Sequence, residues 1–119
     1  MKSSKKSFNF MGFIVEVYIT DSAPNGFRED SVAGVYPHED NSPVFKIWFR
    51  KTLTQEMLVH ECWHLYMTML MVMDSSPHYF EELNNEIYAY NFHSLVMNVL
   101  DTATGMKVYA DYFMNEETK

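Results

Sequence analysis

The sequence reads His60-Glu61-Cys62-Trp63-His64 at the centre of the chain. Side chains four positions apart on a helix project from one face, one turn apart, so both imidazoles can reach a single tetrahedral zinc ion. Glu61 follows the first histidine and can hydrogen-bond a zinc-bound water, which is the position of a general base. The spacing therefore predicts a zinc site with His60 and His64 as ligands and Glu61 as the catalytic base.

The motif lies within residues 55–73, which contain neither Gly nor Pro and so favour one helix. Residues 52–55 offer a threonine cap, with Gln55 three positions after Thr52. Apolar residues occur on every side of this helix, so we expect it to be central and buried. Leaving a buried polar group unpaired costs roughly 2 kcal/mol or more. A shared metal would satisfy all three polar side chains of the motif together.

Strand-forming residues precede the helix. Residues 10–20 are rich in β-branched and aromatic types and predict a strand, and residues 21–30 predict a loop. Residues 32–36 and 44–50 flank a turn-rich segment, a spacing that predicts a long hairpin. The residues expected to face the core are Phe13, Val15, Val17, Ile19, Phe45, Ile47 and Phe49.

A second helix is predicted to begin at Ser76 and Pro77 and to end near Asp101, with Gly105 as a stop. Helical spacing in residues 106–114 predicts a short docked segment beyond it.

The second helix also carries candidates for the third zinc ligand. Glu82, Glu86 and His93 lie near one face of it, and Glu81 lies off that face. Spacing alone does not separate Glu82 from Glu86. A carboxylate in the first turn is explained by the helix dipole, whereas Glu86 lies deeper and needs another partner.

The bulk properties limit the class of protein. A chain of 119 residues with 47% apolar residues supports one domain, which we place at residues 8–119 behind a polar, flexible tail at residues 1–7. The net charge of -7 disfavours nucleic acid as a partner. No signal peptide or membrane span is indicated, and the single Cys62 excludes an internal disulfide. We therefore expect a cytosolic protein.

Two motifs together resemble a known family. His60-Glu61-Cys62-Trp63-His64 on one helix, followed by Asn85-Glu86-Ile87-Tyr88-Ala89 on the next, is similar to the compact gluzincin-type zinc metallopeptidases. Small phage and prophage proteins and the ImmA/IrrE group share this pattern, with a second motif of the form Glu-x-x-Ala. The resemblance covers roughly residues 32–100.

That resemblance implies an α+β, zincin-like fold, in which a small antiparallel or mixed sheet packs on the central helix and a second helix bears a ligand. It also implies that His60, His64 and Glu86 bind Zn²⁺ and that Glu61 is the base of a metallopeptidase. The substrate would be a peptide or protein, in the cytosol of a bacterium or a phage-infected host.

Further residues are candidates for contacts with the substrate. Val44–Arg50 is the expected edge along which a peptide could pair, and its side chains Lys46, Trp48 and Arg50 are possible substrate contacts. Tyr90 and His93 are candidate donors to the developing oxyanion.

Three residues near the motifs receive plainer interpretations. Cys62 points away from the two histidines and is interpreted as a core side chain. His38 and His78 are expected at the surface, with His78 also a candidate to support the metal site from outside the ligand set.

Two other functions fit parts of the sequence. One is a zinc-containing phage accessory or binding protein that keeps the fold but has little or no turnover. The other is a metal-free helical interaction protein with an acidic surface. Exchange of Glu61 separates the enzyme from the first alternative, and zinc content separates both from the second.

Overall fold

The computed structural model describes residues 3–51, 53–73 and 86–106, which form a mixed sheet with helices on one of its faces. The elements are β1 (Ser3–Phe10), β2 (Phe13–Thr20), β3 (Ala33–Val35), β4 (Val44–Arg50), α1 (Gln55–Val72) and α2 (Glu86–Gly105). The strand order is β1-β2-β4-β3, with β2 parallel to β4 and the other pairs antiparallel. The predicted α+β class with a small mixed sheet is confirmed.

The N-terminal hairpin differs from the prediction. Met11 and Gly12 both have positive φ, 53° and 82°, as a two-residue hairpin turn requires. The turn lies inside the strand predicted at residues 10–20, so that strand begins only at Phe13. The turn reverses the chain, and β1 pairs with β2 along the whole length of both strands. The expectation of a flexible tail is therefore wrong for residues 3–7, which belong to β1. Their Ser- and Lys-rich composition suits an edge strand, where polar side chains meet solvent.

The core lies between the sheet and the helices. Successive side chains of β2 and β4 point to opposite faces of the sheet, so every second one points toward the helices. The residues predicted to face the core are each at most 2% exposed, except Phe13. Phe13 is partly buried and packs against the core at its margin. The predicted inward set is thus confirmed. From the helices, the core receives Leu58, Cys62, Leu65, Tyr66, Met69, Leu70, Leu95, Val99 and Ala103.

The outer face of the sheet carries an aromatic layer of its own. Phe27, from the loop after β2, packs edge-on against Trp48 with 5.1 Å between ring centroids, and against Tyr36 at 5.4 Å. Trp48 is fully buried beneath it. Gly34 makes this packing possible because a Cβ atom there would lie 2.7 Å from Phe27 Cε1 and 2.8 Å from Trp48 Nε1.

The span of α1 agrees with the predicted helix to within one residue, but its burial differs from the prediction. Thr54 is the N-cap, and its Oγ1 accepts a hydrogen bond from the Met57 backbone N–H at 3.2 Å. Only one side of α1 is buried, while Trp63 is 42% and Met71 is 70% exposed. The prediction of burial on all sides is wrong because α1 lies on the sheet rather than inside a bundle.

The second helix packs antiparallel to α1 through a few aromatic contacts. The Tyr66 hydroxyl donates to the Tyr88 carbonyl at 3.1 Å, and Trp63 and Phe92 meet edge-on at 5.3 Å. Its predicted beginning at Ser76, and the docked segment predicted after Met106, lie outside the described residues. In the part of the chain that is described, neither helix has the length and apolar character needed to cross a bilayer.

Candidate metal site

His60 and His64 point from adjacent turns of α1 toward the same place. Their Nε2 atoms are 3.3 Å apart, and both side chains are exposed. Two imidazole nitrogens bound to one tetrahedral zinc at 2.0–2.1 Å would lie about 3.3–3.4 Å apart. The separation of the two nitrogens therefore matches that of two ligands of one zinc ion. Their exposure overturns the expectation that they are buried.

Glu61 follows His60 and is therefore rotated from it by about 100° around α1. Its side chain lies on the side of α1 that faces the sheet. It is only 8% exposed, and burial raises the pKa of its carboxyl group, while the nearby His60 and His64 act in the opposite direction. Burial on the sheet side gives this carboxylate a fixed position next to the histidine pair.

A cavity opens between α1 and the hairpin formed by β3 and β4. Its volume is about 390 Å³, and we call it the site cavity. Glu61, His64 and Thr68 form the α1 wall, since positions 61, 64 and 68 share one helical face. The opposite wall is formed by Phe27, Gly34, Val35, Tyr36, Pro37 and His38.

His38 belongs to this wall and is half-buried there, in the loop between β3 and β4 where the sequence placed it. Its ring stacks on Phe45 with 4.3 Å between centroids, and its Nε2 atom is 2.8 Å from the Ser42 carbonyl oxygen. A carbonyl oxygen only accepts hydrogen bonds, so the His38 Nε2 atom carries the proton and donates it to Ser42. The loop between β3 and β4 thus folds back over the end of the sheet.

The predicted third ligand is not assembled with the pair in the described residues. Glu86 is exposed at the first position of α2, two residues before Tyr88 meets Tyr66. Within residues 3–51, 53–73 and 86–106, no three histidine, cysteine or carboxylate side chains form a ligand group. Glu82, Glu81 and His78 lie outside these residues, so Glu86 or Glu82 as the third ligand stays a prediction.

The predicted oxyanion donors lie away from the site cavity. Tyr90 is 70% exposed and His93 is exposed, and neither lines the cavity that contains Glu61. The reason is the packing of α2, which meets α1 on the side of Trp63 and Tyr66 rather than on the side of Glu61. Tyr36 and His38, which do line it, come from the hairpin.

The expected substrate contacts on β4 are only partly placed as predicted. β4 is an internal strand between β2 and β3, so it offers no free edge. Trp48 is buried under Phe27, and the Arg50 guanidinium donates to the Glu29 carbonyl. Lys46 lines a cavity that adjoins the site cavity.

The interpretation of Cys62 as a core residue is confirmed. Its side chain is fully buried, and burial, with a smaller effect of Glu61, raises the pKa of the thiol to about 12. The thiol packs within the core under α1, whereas His60 and His64 are exposed.

Residues missed by sequence reasoning include Thr68 and Tyr36. Thr68 follows His64 by four positions and Glu61 by seven, so the helical spacing that located the histidine pair also points to it. Tyr36 carries no such signal, since its place depends on the pairing of β3 with β4.

Fold and site together define an α+β protein with a histidine pair and a buried glutamate on the helix that packs against the sheet. No protein-family model, curated protein or solved structure matches the chain.

Proposed function

We propose that this protein is a zinc-dependent metallopeptidase of the compact gluzincin type, acting on a peptide or protein in the cytosol of a bacterium or a phage-infected host. The observation that carries the proposal is the 3.3 Å separation of the His60 and His64 Nε2 atoms, beside a buried Glu61 that faces a cavity. This separation matches two ligands of one tetrahedral zinc, and the cavity leaves room for a substrate.

Each residue of the motif has a distinct role in this proposal. His60 and His64 hold the metal, and Glu86 completes the ligand set, with Glu82 as the alternative. Bound zinc supplies a Lewis acid for the scissile carbonyl and for water. Glu61 accepts the proton of the attacking water at its carboxylate, which its burial against the sheet holds on the cavity side of the helix.

The edge of β3 provides a place for an extended peptide. Tyr36 N–H donates to the Lys46 carbonyl and Arg50 N–H donates to the Val32 carbonyl, so residues 32, 34 and 36 direct their backbone groups toward β4. Ala33 and Val35 therefore direct theirs toward the open side. A peptide paired with these two residues would lie along the site cavity, because Val35 belongs to its wall.

Pro37 ends this edge, since proline has no backbone N–H to continue the pairing. The free edge is short for this reason. We therefore propose that the peptide pairs with the edge of β3, whereas the sequence predicted pairing with β4.

A second candidate is a zinc-containing phage accessory or binding protein with little or no turnover. It is favoured by the lack of a third ligand beside the histidine pair among the described residues, where Glu86 is not assembled with His60 and His64. Both candidates predict zinc at His60 and His64.

Exchange of the base separates the two candidates. In zinc-loaded protein incubated with a peptide library, we expect Glu61→Gln to lower turnover by about 10²–10⁴-fold, the usual contribution of a general base. Zinc content and thermal stability should be retained. Glu56→Gln is the matched control, since Glu56 is an exposed residue of the first turn of α1 and lines neither the site cavity nor its neighbour.

The outcomes are distinct. Equal turnover by Glu61→Gln and the parent protein would remove Glu61 as the base. Zinc-loaded parent protein that cleaves nothing in the library would favour the accessory protein over the peptidase.

A further inference from the structure

A second cavity of about 340 Å³ adjoins the site cavity, and we call it the outer cavity. The two share the wall formed by Tyr36, Pro37 and His38. A chain that leaves the β3 edge and crosses these residues would pass from Glu61 on one side to Glu16 and Lys46 on the other. The two cavities therefore lie next to each other, on either side of residues 36–38.

The acidic side of the outer cavity is already neutralised in part. Glu16 accepts a hydrogen bond from the Tyr18 hydroxyl at 2.8 Å and pairs with the Lys5 ammonium at 3.4 Å. Its side chain is only 19% exposed. A carboxylate with these two partners has little remaining capacity to attract a cationic group.

Lys46 stands opposite Glu16 on the neighbouring strand and lines the same cavity. Among the described residues, the ion pairs closer than 4 Å involve Lys5, Arg28 and Lys51, and Lys46 acts on Glu16 only at longer range, where its charge is the smallest of the causes that lower the pKa of Glu16. Lys46 is half-buried and lines the outer cavity, so it is a candidate donor to a group bound there. The Ser42 hydroxyl, which accepts from the Val44 N–H, still has its own proton to donate there.

From this arrangement we infer that the outer cavity is a subsite for an acidic side chain of the peptide substrate, selected by Lys46. The inference rests on the proposed peptidase function and adds the substrate class to it. The donors Lys46 and Ser42 would bind the carboxylate, while Glu39, exposed at the rim of the cavity, weakens the preference.

The length of the shared wall sets the expected position. Three near-extended residues span about 10 Å, so the wall at residues 36–38 corresponds to about three residues of an extended peptide. The acidic residue should therefore lie about two to four positions from the scissile bond, at one fixed position.

Cleavage-site profiling of a proteome-derived peptide library tests the inference. The zinc-loaded parent protein should enrich Asp and Glu about 10-fold at that position, the effect expected of one charge-assisted hydrogen bond. Lys46→Gln should abolish the enrichment, Lys46→Glu should replace it by Lys and Arg, and Glu39→Gln should increase it. Lys51→Gln is the matched control, because it removes the same charge from a residue that pairs with Asp21 and lines neither cavity.

A reversal of preference by Lys46→Glu is not expected of a residue that acts only in folding. Cleavage without acidic enrichment, or an enrichment that Lys46→Gln leaves intact, would overturn the inference while leaving the peptidase function in place.

A binding measurement tests the subsite without turnover. Zinc-loaded Glu61→Gln protein is titrated with two blocked alanine-rich peptides that differ only by one Glu or Gln, and amide chemical shifts are followed by NMR. The Glu peptide should bind about 10-fold more tightly and shift the amide signals of Tyr36 and Lys46. Equal affinity of the two peptides would overturn the subsite. Tighter binding of the Glu peptide by a protein that cleaves nothing would support the subsite and contradict the peptidase function.

Discussion

Replacement of Gly34 by alanine tests the packing that forms one wall of the site cavity. The added Cβ would lie 2.7 Å from Phe27 Cε1 and 2.8 Å from Trp48 Nε1, whereas carbon atoms in good contact are about 3.5–4.0 Å apart. Both contacts are too short, so the two rings, or β3 itself, must shift by roughly 1 Å. Trp48 is fully buried in an internal strand, so Phe27, which comes from a loop, should move first.

Overpacking of this kind costs about 1–3 kcal/mol. At about 4 °C per kcal/mol for a domain of this size, the thermal midpoint should fall by about 4–12 °C. Circular dichroism melts, with urea denaturation as a second measurement, would record the loss. Displacement of Phe27 should also disturb the site cavity, since Phe27 and Gly34 both line it.

Two further variants make this test specific. Gly105→Ala, at the end of α2, places its Cβ no closer than 3.8 Å to Lys6 Nζ and should cost nothing. In Phe27→Ala protein, one of the two rings that obstruct the new methyl group is gone and space opens for Trp48 to shift, so the Gly34→Ala penalty should become smaller. Gly34→Ala protein that melts at the parent temperature would refute the packing described for this wall.

Two other predictions concern the capping of α1 and the charges beside the outer cavity. Thr54→Ala removes the acceptor of the Met57 N–H and should lower the free energy of unfolding by about 1 kcal/mol, measured in urea, whereas an unchanged midpoint would contradict the assigned cap. Burial, assisted by the hydrogen bond to Glu16, raises the pKa of Tyr18 from 10.0 to about 12. The unfolded chain then loses this proton first, so the stability that Tyr18 contributes is complete below pH 10 and is lost as the pH rises toward about 12. Tyr18→Phe should flatten the fall in stability over this window, and an equally steep fall in the variant would contradict the assignment. The same variant removes the main cause of the lowered pKa of Glu16, which should rise toward 4.5 in an NMR titration.

Periodicity predicted the elements whose pattern repeats over several residues. The helix at residues 55–73 and the inward side chains of β4 follow directly from spacing, because burial of one face imposes that spacing. The relation of His60 to His64 belongs to the same class, since it depends only on the pitch of one helix.

Features that depend on contacts between distant segments could not be predicted in this way. The alternation of β4 marks Trp48 as outward, but nothing in β4 shows that Phe27, 21 residues earlier, covers it. The return of the loop over Phe45 similarly placed His38 in the cavity wall. A Ser- and Lys-rich strand such as β1 resembles a tail in composition, because only its pairing with β2 makes it a strand.

The central claim is that His60 and His64 bind one zinc ion with an open position for water. X-ray absorption spectroscopy of zinc-reconstituted protein at one metal per chain tests it most directly. We expect two imidazole nitrogens and a carboxylate at about 2.0–2.2 Å from the zinc, with the remaining position occupied by solvent. A spectrum with four protein ligands, or one that His64→Ala leaves unchanged, would contradict it.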